Sequence, residues 1–134
     1  MLKDIPELKV EDVSIAIIKD EDEVAGEVWD VYLINQRKEK ITGVLVTSTG
    51  YGVIGDESRK TSTLRHFFEE VDSNSFIKIE TMVEDVFDVN NEFWLSFFLG
   101  NNMYDKKFIF VAGSIKEENF TKVPLVHKSG VHIK

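Results

Sequence analysis

The sequence contains no cysteine, and it has no long apolar run. Without cysteine the chain cannot form disulfides, Cys-ligated zinc or iron–sulfur centres, or a catalytic thiolate. No stretch of about 18 apolar residues occurs, so no membrane-spanning helix is predicted. Residues 1–12 also lack the apolar core of a secretory signal. These absences predict a soluble, cytoplasmic protein with no membrane partner.

Positive charge is scarce as well. Sixteen Lys and Arg stand against 24 Asp and Glu, which gives a formal net charge of −8. Such a balance repels phosphate backbones, which proteins bind largely through basic side chains, so nucleic acid is not an expected partner. The exception is the basic segment, residues 58–66 with the sequence SRKTSTLRH, which contains three basic residues and no acid.

The composition predicts one compact domain over residues 1–134. The length is close to the modal domain size, and 43% of the residues are hydrophobic, including ten Phe. Alternation of apolar and polar residues dominates, as in residues 27–36 (EVWDVYLINQ), and this pattern is typical of strands. We expect an α+β, mostly β fold. It would be an antiparallel sheet of six or seven strands, forming a sandwich or a partly open barrel, with one or two short helices.

One of those helices is predicted over residues 62–71. Apolar residues recur there at i, i+3, i+4 and i+7, the stripe of an amphipathic helix: Leu64, Phe67, Phe68 and Val71. Ser62 or Thr63 would cap it. A strand through the same residues is the alternative.

An anion site is the functional hypothesis for the basic segment. The free N–H groups and the positive end of a capped helix attract phosphate and carboxylate groups, and basic and hydroxyl side chains would surround them. The candidate anion-binding residues are Arg59, Lys60, Thr61, Ser62, Thr63 and Arg65. The alternative is a solvated basic loop that offsets neighbouring carboxylates.

His66 is the one candidate catalytic residue. Its intrinsic pKa suits a general acid or base, but no nucleophile can be assigned to it from the sequence. The alternative is a surface histidine paired with Glu69 or Glu70.

Other motifs predict no cofactor and no metal. Gly50, Gly52 and Gly55 form G-x-G-x-x-G, but a dinucleotide site needs a helix directly after the glycines, and DESRKTS intervenes. His127 and His132 are five positions apart in a predicted strand and would point to opposite faces.

The segment 92–100, EFWLSFFLG, places large apolar side chains on both faces of a predicted strand. Its position in the middle of a core would explain this pattern, and so would a sheet that buries its second face against another subunit. A homodimer is therefore a second expectation.

Five segments together resemble a small family of short bacterial proteins of no established function: TSTGYG, RKTSTLRH, NEFWLSFF, DKKFIF and PLVHKSGVHI. Members of that family sometimes carry the name phenylalanyl-tRNA synthetase alpha subunit. A synthetase catalytic core is far longer than this chain, and a net charge of −8 suits tRNA poorly, so the resemblance implies no synthetase activity.

The sequence thus predicts a non-enzymatic binding or assembly module, with the basic segment as its contact surface and a homodimer or another protein as its partner. The alternative is a small enzyme or ligand-binding domain that holds a phosphate or carboxylate at the start of the helix near residues 62–71.

Overall fold

A computed structural model describes residues 8–24, 26–82 and 86–134. Strands make up most of the described chain, and the helical element with defined bounds is a single 3-10 turn, Glu117–Asn119. The strands are β1 Val13–Asp22, β2 Gly26–Asn35, β3 Ile41–Ile54, β4 Glu57–Lys60, β5 Leu64–Val71, β6 Ser75–Met82, β7 Asn90–Leu99, β8 Asn102–Phe110, β9 Thr121–Val123 and β10 Lys128–Ile133.

These strands form two antiparallel sheets of five strands. The first sheet has the order β6-β2-β1-β10-β9. The second has the order β4-β3-β7-β8, and β5 also pairs with β3. The 14-residue β3 accommodates both partners along one edge, because β5 pairs with residues 41–48 and β4 with residues 51–54.

The inward faces of the two sheets share one hydrophobic core. Alternate residues of β1, such as Ile15 and Ile17, lie in the same buried cluster as Phe93, Leu95 and Phe97 of β7. Each such side chain contributes about 2 kcal/mol through the apolar surface it removes from water. This shared core lies between two sheets, which is the arrangement of a β-sandwich; the sequence left a sandwich and a partly open barrel as alternatives.

The strand β1 is buried on both faces. Its outward residues Ala16 and Ile18 form a second, smaller buried cluster with Ile34 and Val123, which the segment 124–127 helps to cover. This double burial explains why residues 13–18 of β1 are apolar almost without interruption, as is usual for a central strand.

A corner at residues 72–74 carries the chain from β5 in the second sheet to β6 in the first. Asn35, which is fully buried, stabilises this corner. Its Nδ2 lies 2.9 Å from the carbonyl oxygen of Asp72, 3.1 Å from that of Glu39 and 3.3 Å from that of Val71. Beyond the corner β5 and β6 belong to different sheets, so a gap opens between them.

Two expectations about the fold need correction. The described residues form ten strands in two sheets, where six or seven strands were expected, and they contain no α-helix, where one or two short helices were expected. The fold is therefore mostly β. The two short strands β4 and β9 were not predicted because their residues alternate weakly; backbone pairing with β3 and β10 makes them strands.

The predicted helix over residues 62–71 is wrong, and the strand alternative is correct. Residues 64–71 form β5, which pairs along its length with β3. Pairing with a long, already buried strand outweighs a weak local helical pattern. Of the four residues in the predicted stripe, Leu64 and Phe67 are exposed, whereas Val71 is buried.

Candidate functional site

The basic segment does not form one cluster. Arg59 in β4 lies opposite Gly52 of β3, whereas Arg65 in β5 lies opposite Thr47 of the same strand. Positions 47 and 52 are an odd number of residues apart, so their side chains occupy opposite faces of the second sheet. The two guanidinium groups therefore lie on opposite faces and do not converge on a shared ligand.

The helix that was expected to complete the anion site is absent. Thr61, Ser62 and Thr63 instead form a connector between β4 and β5. No helix N-terminus faces these hydroxyl groups, so the helix dipole cannot contribute to anion binding there. Any anion site in this region depends on basic and hydroxyl side chains, without a helix dipole.

Thr61 is held against Gly50. The backbone N–H of Thr61 donates to the Gly50 carbonyl oxygen (2.8 Å), and the Gly50 N–H donates to Thr61 Oγ1 (2.7 Å). A Cβ at position 50 would lie only 2.9 Å from Thr61 Cγ2. Glycine is required here for close packing of the connector. Of the other two glycines of the G-x-G-x-x-G pattern, Gly52 lies within β3 and Gly55 forms the β3–β4 turn.

A polar cluster bridges the gap between the two sheets. Ser48 Oγ on β3 donates to Glu80 Oε1 on β6 (2.7 Å), and His66 Nε2 on β5 lies 3.0 Å from the same oxygen. The Glu80 side chain is only 13% exposed. His66 does pair with a glutamate, but its partner is Glu80 and not the expected Glu69 or Glu70, because β5 is a strand that directs His66 towards β6.

A cleft of about 250 Å³ lies beside this cluster. Ser48 and Glu80 form part of its wall, and Thr61 and Ser62 border it. Apolar side chains supply much of the remaining wall: Leu64, Met82, Val86 and Phe93. Glu80 supplies a carboxylate, and none of the described lining residues is Lys or Arg. Glu92 also borders the cleft, but its carboxylate pairs with Lys107 on the outer side of the second sheet. The cleft therefore favours ligands that combine an apolar group with a hydrogen-bond donor or a positive charge.

A second cavity of about 240 Å³ adjoins the cleft and has the opposite charge. Arg59 and Lys60 line it together with three apolar residues, Ile54, Val86 and Val89. The two cavities share Gly50, Thr61 and Val86. The two cavities are therefore neighbours, one with a carboxylate in its wall and the other with two basic residues.

The other two histidines do not line either of these cavities. His132 on β10 is 2.7 Å from Ser14 Oγ, and its burial, with a smaller contribution from the charge of Lys134, lowers its pKa below the usual 6.5. His127 lies in the turn before β10. Among the described residues, no three His, Asp or Glu side chains are arranged to hold a metal ion.

Of the candidate site residues chosen from the sequence, Thr61 and Ser62 line this cleft, and the residues of its interior were not among the candidates. Ser48, Glu80 and Glu92 were not identified as candidates. Ser48 and Glu80 are 32 positions apart in the chain, and they meet only because β3 and β6 lie in facing sheets. The sequence gives no local signal for Glu80, because Glu80 alternates with apolar residues in the same way as the exposed Lys78.

No protein-family model, no curated protein and no solved structure matches the chain. The resemblance to a family of short bacterial proteins therefore stays a prediction. In the described ranges, no helix has the length and apolar character needed to cross a membrane.

Proposed function

We propose that the protein is a non-enzymatic binding module and that its ligand site is the cleft between the two sheets, bordered by the basic segment. The observation that carries this proposal is the environment of Glu80. Ser48 and His66 both contact Oε1, and within the described part of the chain Oε2 takes no hydrogen bond. A carboxylate fixed in this way, beside an apolar wall, is prepared to accept a donor from a ligand.

The proposed ligand carries an amine or another hydrogen-bond donor next to an apolar group. The donor would bind Glu80 Oε2, since hydrogen bonds to an ionised acceptor are the stronger ones. The apolar group would pack against Met82, Val86 and Phe93, which line the same cleft. The volume of about 250 Å³ limits the group to a small side chain or a small molecule.

The geometry argues against an enzyme of the serine–histidine type. In such enzymes the imidazole contacts the serine oxygen and takes its proton. Here Ser48 and His66 each contact the same oxygen of Glu80, so the carboxylate lies between them. In this arrangement Ser48 donates its hydrogen bond to Glu80 and not to His66, so His66 does not activate it as a nucleophile.

A second candidate function is carboxylate or phosphate binding, in the neighbouring cavity lined by Arg59, Lys60 and Thr61. This cavity also has apolar walls, which favours an anion with an apolar body. Because the two cavities share part of their lining, one ligand with an amine at one end and a carboxylate at the other would match both charges.

Thermal unfolding with three groups of small molecules tests these proposals: apolar amines, apolar carboxylates, and amino acids or dipeptides that carry both charges. A ligand at 100 times its dissociation constant adds about 2.7 kcal/mol of stability. For a domain of this size that raises the unfolding midpoint by about 10 °C. We expect Glu80→Gln to abolish the shift given by amines and Arg59→Ala the shift given by carboxylates.

Arg65→Ala is the matched control, because Arg65 lies on the opposite face of the second sheet. It should leave every shift unchanged. The absence of a shift with all three groups would contradict the ligand site. Turnover of a small ester or amide that is lost in His66→Ala would contradict the non-enzymatic character.

A further inference from the structure

The outer face of the second sheet, which is the side of β5, β3, β7 and β8 that faces away from the core, exposes several large apolar side chains. Trp94 is 44% exposed, Phe67 63% and Met103 55%. The exposed large apolar side chains on this face are Leu45, Phe67, Trp94, Phe98, Met103 and Ile109. Large contiguous apolar patches on a protein surface mark interaction sites.

The same face carries little net charge for an acidic protein. Its rows across the sheet contain two basic side chains, Arg65 and Lys107, and three acidic ones, Glu70, Glu92 and Asp105. The whole chain carries a formal charge of −8. Two copies of the chain therefore repel each other less through this face than through an average part of the surface.

Edge-to-edge pairing through β8 is disfavoured. Lys106 on this edge strand points inwards, with Nζ 5.1 Å from the ring centroid of Phe108 and 2.9 Å from the carbonyl oxygen of Lys134, to which it donates. An inward-pointing charge is a common device by which edge strands avoid adding a further strand. Association of two copies is therefore expected through the face and not through this edge.

We propose that the outer face of the second sheet binds a second copy of the chain in a two-fold symmetric dimer. The proposal rests on two adjacent rows of side chains across the sheet. One row is Phe67, Leu45, Ser96 and Asp105, and the next is Arg65, Thr47, Trp94 and Lys107.

A two-fold axis that runs between these rows places each row of one copy over the other row of its mate. On β8, Asp105 of each copy then lies opposite Lys107 of the other, which forms two ion pairs. On β7, the large Trp94 lies opposite the small Ser96.

The residues of β5 are also complementary across the two-fold axis. On β5 the same axis places Arg65 of each copy over the ring of Phe67 of the other, a favourable cation–π arrangement. Aromatic residues and Arg are also the residue types enriched at the centre of protein interfaces. The two central rows contain no residue that lines the cleft between the sheets, so the dimer does not depend on the proposed ligand site.

Sedimentation velocity of the full chain over a series of concentrations tests the dimer. We expect a species of twice the chain mass of 15.4 kDa. Asp105→Lys and Lys107→Asp each place like charges opposite each other in both symmetric pairs. Each substitution should weaken association about tenfold per pair, or about a hundredfold in all. The double swap restores opposite charges and should recover association.

Phe67→Glu tests the apolar part of the interface and should give a monomer. Val24→Glu is its control, because Val24 is 96% exposed at the β1–β2 turn, away from this face. Circular dichroism verifies that each variant is folded. A chain that stays monomeric at all concentrations overturns the proposal. A dimer that is unaffected by both Phe67→Glu and Asp105→Lys overturns the assignment to this face, as does a double swap that does not recover association.

Discussion

The hydrogen bond between Ser48 and Glu80 joins the two sheets, and its contribution to stability can be measured. The two atoms are 2.7 Å apart; Ser48 is 7% exposed and the Glu80 side chain 13%. A hydrogen bond to a charged acceptor contributes about 1.5–3 kcal/mol. Ser48→Ala should therefore cost about 1.5 kcal/mol. Glu80→Ala should cost about 3 kcal/mol, because it also removes the partner of His66.

A double-mutant cycle separates the pair from its surroundings. Once Glu80 is alanine, Ser48 has no carboxylate to bind, so the double variant should lose only about as much stability as Glu80→Ala alone. The expected coupling energy is about 1.5 kcal/mol. Urea unfolding followed by circular dichroism measures the free energy of unfolding of each variant. If the slope of this free energy against urea concentration is the same in all variants, their unfolding is comparable.

Ser129→Ala is the control, since this serine is exposed on β10 and should change stability by less than about 0.5 kcal/mol. Additive losses for Ser48→Ala and Glu80→Ala, with a coupling below about 0.5 kcal/mol, would refute the reasoning. In that case the link between the sheets would have no energetic role, and Glu80 would not be held in place for a ligand.

Three further predictions concern the scaffold. Gly130→Ala should cost about 3 kcal/mol, because its Cβ would lie 2.5 Å from the carbonyl oxygen of Ile17, whereas Gly52→Ala meets only ordinary contacts at 3.5 Å and should be near neutral by urea unfolding. Asn35→Ala should cost about 3 kcal/mol by the same assay, because it leaves buried carbonyl groups at the corner without a donor. The third concerns His132, whose native pKa is lowered by burial, so the unfolded state binds more protons below about pH 6.5. Stability should be full above that pH and fall as the pH is lowered towards the native pKa, and His132→Gln should flatten the dependence; a stability that rises on acidification in this range contradicts the reasoning.

The strands were predictable where one face is buried and the other is not. In β7 the inward residues Phe93 and Phe97 are almost fully buried, while Trp94 and Phe98 are partly exposed, and this division follows directly from alternation in the sequence. Strand β4 was not predictable, because all four of its residues are exposed and its structure comes from pairing with β3.

The error over residues 62–71 has a physical origin. Spacings of three and four residues between apolar side chains predict a helix only if those side chains share a buried face. Here the fold buries Val71 but leaves Phe67 on the outer face of the second sheet, where other large apolar side chains are also exposed. A sequence cannot distinguish a buried stripe from an exposed apolar surface, so the feature that suggests an interface also produced the wrong secondary structure.

The candidate site follows from the topology of the corner at residues 72–74. There the chain leaves one sheet for the other, and Asn35 holds the two strands together at that end. Further along, β5 and β6 have no backbone hydrogen bonds to each other, and His66 and Glu80 bridge the gap with side chains. Beyond this bridge the gap widens into the cleft, beside Leu64 and Met82. The basic segment immediately precedes β5, so it must lie at the mouth of this cleft. The acidic interior and the basic border of the proposed ligand site thus arise from a single change of sheet, and Val86, between β6 and β7, completes part of the wall.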